Sequence, residues 1–161
     1  MRASSLCISQ AGTHFCFREV FQTEAEMSTT KPVIQVVAAI ITDGSRILAT
    51  QRGYGDFKGM WEFPGGKIEP GELPEEALRR EIREELQIEI AISRFLSKVN
   101  YEYPGFILNM DCYLSKIESG TLVLAEHQDA RWLAPSELMT VEWLPADIEI
   151  VEQLCSISLC S

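Results

Sequence analysis

The stretch from Gly65 to Ile88 constrains this chain more than any other. A glycine-containing loop, Gly65-Gly66-Lys67-Ile68-Glu69-Pro70-Gly71-Glu72, runs into a segment with apolar residues at helical spacing and a heavy load of carboxylates. Pro74 suits the first helical turn, where its missing N–H would be unsatisfied anyway, and Glu75 and Glu76 follow where the helix dipole favours negative charge. The expectation is a helix starting near Pro74. Leu78, Ile82 and Leu86 recur every fourth residue and form an apolar stripe for a core. Glu81, Glu84 and Glu85 fall on a neighbouring face, where their like charges oppose the helix by roughly 0.2–0.5 kcal/mol per adjacent pair. A cation should offset this. Arg79, Arg80 and Arg83 supply part of the charge, and the oxygen-rich set also suits Mg²⁺ or Mn²⁺, hard ions that share carboxylates with substrate phosphates. A solvated helix face is the plainer account of a charge run.

The loop decides between them. Gly66, then five residues, Glu72, then seven residues, then Arg80-Glu81-Ile82-Arg83-Glu84-Glu85-Leu86-Gln87-Ile88 resembles the Nudix box, G-x5-E-x7-R-E-U-x-E-E-x-G-U with U apolar. One position departs from it. Gln87 stands where the family usually has a glycine that ends the helix in a left-handed conformation, which costs a non-glycine residue roughly 1 kcal/mol. The departure bears on the turn, not on the carboxylates.

Composition sets the wider frame. The 161 residues are 46% hydrophobic, enough for one sizeable core, so residues 31–161 are expected to form a single domain. Residues 1–30 show no sustained period, and poor order is expected there. Met27-Ser28-Thr29-Thr30-Lys31-Pro32 resembles a natural start, which would make Met1 to Glu26 an extension. The formal net charge of −10 argues against nucleic-acid polymers and anionic membranes as partners, so a phosphate substrate must be met locally. Cys7, Cys16, Cys112, Cys155 and Cys160 are odd in number and lack ligand spacing, which fits a reduced, cytoplasmic protein. No apolar run approaches the ~20 residues that cross a bilayer. Monomer and homodimer both remain open.

Val33 to Thr42 is almost continuously apolar, the pattern of a central strand buried on both faces. Asp43-Gly44-Ser45 marks a turn, and Arg46 to Gln51 reads as the returning hairpin strand. Trp61-Glu62-Phe63 is a short extended piece before the glycines. Ile88 to Asn100 and Phe106 to Ser115 read as strands around a turn at Tyr103-Pro104-Gly105, with a further strand over Asp129 to Leu133. Pro135 starts a short helix, and Pro145 to Leu154 reads as an amphipathic helix. Strands interrupted by one helix and closed by another indicate the α/β class, and the resemblance implies an α/β/α sandwich with a mixed β-sheet.

The resemblance also implies roles. The Gly66 carbonyl and the Glu81, Glu84 and Glu85 carboxylates would hold Mg²⁺, or Mn²⁺; Glu81 or Glu85 would help activate water, Arg80 would brace the carboxylates, and Glu72 would serve as a structural acid. A further carboxylate before a late strand points to Glu126 as general base or metal ligand. His127 beside it reads as a surface residue. Arg52 suits a substrate phosphate through its guanidinium fork, with Lys67 as a parallel candidate. Leu144-Pro145-Ala146-Asp147 is similar to a base-contacting motif of members related to MutT and to CTP pyrophosphohydrolase. Asp147 would receive the exocyclic amino group of cytosine, or in protonated form serve an oxidised purine. Glu62 is expected in the same pocket, with Phe63, Tyr103 or Phe106 to stack on the base.

The implied activity is Mg²⁺-dependent hydrolysis of a nucleoside triphosphate to the monophosphate and pyrophosphate, favouring CTP, dCTP or a modified pyrimidine. Sanitation of oxidised dGTP and nucleotide sensing without turnover are the alternatives. An isoprenoid diphosphate isomerase on the same fold would need a catalytic cysteine, and Cys112 lies on an expected strand without a supporting motif.

Overall fold

A computed structural model of the chain describes residues 30–156. The expectations for Met1 to Glu26 lie outside the described residues. Strand β1 (Val33–Ile41) is the hub: it pairs parallel to β6 (Ile107–Gly120) and antiparallel to β4 (Gly65–Lys67), and β6 pairs antiparallel to β5 (Ile88–Glu102). The resulting sheet, in the order β4-β1-β6-β5, is mixed, as expected.

Alternation along β1 makes the layers. Val37, Ala39 and Ile41 face one core cluster with Leu78, Ile82 and Leu86 of α1 (Pro74–Leu86), while Ala38 and Ile40 face another with Ile150, Val151 and Leu154 of α2 (Ile148–Ser156). The apolar stripe foreseen on α1 is completely buried. Burial on both faces starts at Val37; Val33 and Gln35 are exposed.

The expected β1–β2 hairpin is only a corner. After one bridge between Thr42 and Ile47, β2 (Ile47–Arg52) leaves the mixed sheet. It becomes the middle of a second, antiparallel sheet between β3 (Trp61–Glu62) and β7 (His127–Leu133). β5 and β6 run further than their apolar residues suggest, with register shifts along their length. A 3-10 helix follows at Pro135–Thr140. α2 begins at Ile148, since Pro145-Ala146-Asp147 forms a turn first.

Helix α1 ends as the box requires. Gln87 itself adopts the left-handed conformation, at φ 56 and ψ 33, and its N–H donates to the Arg83 carbonyl at 3.1 Å. The departure from glycine therefore leaves the turn unchanged in shape and puts its strain on a side-chain-bearing residue. Gln87→Gly is expected to stabilise the protein by about 0.5–1 kcal/mol, read as a rise of a few degrees in the midpoint of thermal unfolding.

Candidate active site

A cleft of ≈ 730 Å³ opens between α1 with its preceding loop and the second sheet. Its first wall is the Gly65–Leu86 stretch. Arg80 grips Glu72 with a two-pronged pair, Nε and Nη2 each donating at 2.9 Å, and Nη2 also donates to the Lys67 carbonyl at 3.0 Å. Its Nη1 donates to Glu81 at 2.8 Å and lies 3.5 Å from Glu84. These bonds hold the Glu72 carboxyl below its ordinary range. They also press the loop onto the helix so closely that a Cβ at Gly66 would overlap the Glu81 carboxylate.

Glu85 is buried, and its carboxylate accepts from the Gly65 N–H at 3.4 Å. Burial raises its pKa to about 7; Glu62 and Glu81 push the same way, while His127 and the Gly65 N–H oppose them. Among the described residues no three acidic, imidazole or thiol side chains close into a ligand cage, and Arg80 bridges Glu81 and Glu84. The donors are all oxygens, and one of them is a desolvated carboxylate. Such an open set fits a hard divalent ion whose remaining positions are filled by water and phosphate oxygens.

The second wall comes from β2, β3 and β7. Arg52 donates to Glu62 Oε2 at 2.5 Å, its guanidinium lies 5.1 Å from the Tyr54 ring centre, and Tyr54 donates to Glu126 at 3.2 Å. Arg52 and Glu62, assigned separate tasks from the sequence, thus form one ion pair within the cleft. His127 corrects its reading as a surface residue. Its side chain is only 4% exposed, Nε2 lies 3.4 Å from Glu62 Oε1, and Nδ1 is buried without a partner. Tyr54 and His127 were both missed. The sequence marks neither, apart from the adjacency of His127 to Glu126.

At the far end, Asp147 is buried and its Oδ1 accepts the Phe63 N–H at 3.2 Å, instead of capping α2. Burial raises its pKa from 3.8 to about 8. Phe63 packs on Trp143 with ring centres 4.7 Å apart, and Tyr103 stacks on Phe106 at 4.8 Å. All of these except Trp143 line the cleft, as do the exposed Lys67 and Glu126. Cys112 lies wholly in the core, where burial pushes its thiol up, so it offers no nucleophile to the cleft.

The profile of the NUDIX domain matches residues 32–154. The chain is 40% identical over 121 residues to a CTP pyrophosphohydrolase of Escherichia coli, covering 74% of this chain and 90% of that one. It is 36% identical over 126 residues to an 8-oxo-dGTP diphosphatase of Haemophilus influenzae, covering 77% and 93%. Among solved structures it resembles the Escherichia coli ORF135 protein, with a TM-score of 0.68 at 38% identity over 78% of this chain and 91% of that one. It also resembles a MutT protein from Methanosarcina mazei, with a TM-score of 0.70 at 25% identity over 78% and 95%.

The buried acid at the far end gives a measurable signature. Asp147 holds its proton more tightly when folded than when unfolded, so its stabilising contribution is complete below 3.8 and is lost as pH rises through about 8. The metal-free protein is expected to lose stability across that window with an Asp147 contribution of up to ~1.4 kcal/mol per pH unit, and Asp147→Asn should flatten the slope in denaturant titrations.

Proposed function

Since the chain belongs to the NUDIX domain family and is a nucleotide pyrophosphohydrolase, we propose that its cleft hydrolyses nucleoside triphosphates to the monophosphate and pyrophosphate, favouring CTP, dCTP or a modified pyrimidine. Glu81, Glu84, Glu85 and the Gly66 carbonyl would hold Mg²⁺, with Glu126 as a further ligand or the general base. Bound there, the ion supplies neutralisation of the phosphates and acidifies a water.

The protein's own groups do the rest. Arg80 keeps Glu81 and Glu84 close to the loop, so the acidic face is set before substrate arrives. Arg52 spends one arm on Glu62 and offers its other donors to phosphate oxygens, assisted by Lys67. Glu126, steadied by the Tyr54 hydroxyl, stands in the cleft as a proton acceptor for the attacking water. Glu85 is shielded from bulk water.

The choice of base turns on the state of Asp147, and the likeness to a CTP pyrophosphohydrolase ranks cytosine first. The Phe63 N–H occupies Oδ1 and leaves Oδ2 for a ligand. Ionised, Oδ2 accepts from the amino group of cytosine; the 40% identity to a CTP pyrophosphohydrolase supports that assignment. Protonated, as burial favours, it donates to an oxidised purine, which makes 8-oxo-dGTP the second reading, supported by the 36% identical diphosphatase.

Product-resolved assays with Mg²⁺ on CTP, dCTP, dGTP and 8-oxo-dGTP test this, and binding without phosphate release across the panel would defeat it. Glu84→Gln is expected to lower turnover by about a hundredfold or more. Its side chain is 60% exposed, so circular dichroism should show an unchanged fold. Asp147→Asn should reorder the nucleotides more than it slows the best one.

A further inference from the structure

His127 presents a problem that packing does not solve. A polar ring with one buried, unpartnered nitrogen is a liability that leucine or phenylalanine would avoid at the same place. What the imidazole offers and an apolar ring lacks is its approach to Glu62: Nε2 lies 3.4 Å from Oε1, while Arg52 donates to Oε2 at 2.5 Å. The carboxylate is thus approached on each oxygen by a different nitrogen. Glu62 lines the same cleft as Glu85 and Asp147.

We propose that His127 is a positioning residue for nucleotide binding: it fixes the Glu62 carboxylate and thereby the direction in which Arg52 faces the cleft. The proposal rests on the reading of Arg52 as a substrate anchor. The backbone supports it. β7 pairs with β2 at Gln51–Asp129 and then at Arg52–His127, skipping Gln128. Cross-strand partners share a face, so this bulge turns His127 to the side of Arg52, whereas unbroken alternation would leave it on the side of Asp129 and Gln51. Gly53 continues the contact: a Cβ there would run into the Glu126 carbonyl, so β2 and the residue before His127 meet without an intervening side chain.

The test is Mg²⁺-dependent CTP hydrolysis by His127→Leu and His127→Gln, each alone and in a Glu62→Gln background, with thermal unfolding of every variant. His127→Leu should raise KM about tenfold with kcat within about twofold, and His127→Gln, whose amide nitrogen reaches where Nε2 stood, should recover most of the loss. His127→Leu should unfold at the wild-type temperature or above, and should change KM no further once Glu62 is glutamine. An unchanged KM overturns the proposal, as does a joint fall in stability and kcat that glutamine does not rescue, which would make His127 a packing residue. Calorimetric affinity for α,β-methylene CTP separates the two layers. A wild type that binds it without hydrolysing CTP refutes the catalytic reading alone, and equal affinity in His127→Leu refutes the positioning role alone.

Discussion

The two-pronged pair between Arg80 and Glu72 is the interaction on which the site depends. An ion pair near the surface contributes little to stability, about 0–1 kcal/mol, but this half-buried one ties three pieces of backbone together. Arg80 belongs to α1, the Lys67 carbonyl to β4 and Glu72 to the loop between them, and Glu81 is the next position of the helix. With the loop pinned, Gly66 lies against the Glu81 carboxylate, which a larger residue there would push aside. The pair therefore holds the loop at Gly66 against the start of a row of carboxylates, an arrangement on which the proposed metal site would rest. Without it the like charges on α1 would push the acidic residues apart or the helix end open.

The same wall is held from behind by packing. Leu78, Ile82 and Leu86 fill the face of β1 that carries Val37, Ala39 and Ile41, so the acidic face of α1 is fixed by the burial of its neighbour. The opposite face of β1 leads into the cluster containing Trp61, Phe63, Trp143 and α2, which backs the Asp147 end of the cleft. A single strand thus backs both ends of the cleft. Glu85 shows how far this goes, because its carboxylate is carried into the buried side of the helix with a long bond from Gly65 as its hydrogen bond.

Local patterns were legible in the chain, and long-range register was not. The box could be read because its spacing is fixed within one loop and one helix, and the left-handed turn at Gln87 kept its shape despite the missing glycine. The mixed sheet followed from apolar runs and turn residues. The second sheet did not, because nothing in Arg46 to Gln51 distinguishes a strand that folds back on β1 from one that turns away after a single bridge. His127 was misjudged for a related reason. Its face is decided by the omission of Gln128 from a ladder with β2, and a one-residue slip reverses the side on which every later residue points. Asp147 was found by its motif, yet its bond to Phe63, some eighty residues earlier, could only come from the fold.

Charge is the reason the proposed reading of this cleft calls for a metal ion in addition to arginines. Glu62, Glu69, Glu81, Glu84, Glu85, Glu126 and Asp147 line it, against Arg52, Lys67 and Arg80. Both arginines are already paired with carboxylates, Arg52 with Glu62 and Arg80 with Glu72 and Glu81. Among the described residues, Lys67 is the lining cation that makes no ion pair. A triphosphate approaching these walls would meet repulsion in a protein whose net charge is already −10. On the proposed reading, divalent ions held there would change the sign locally: they would offset the desolvated Glu85 and its neighbours and present positive charge to the phosphates. Acidity that would repel the substrate alone would then attract it as a metal complex, and the proposed need for the ion would follow from the carboxylates proposed to hold it.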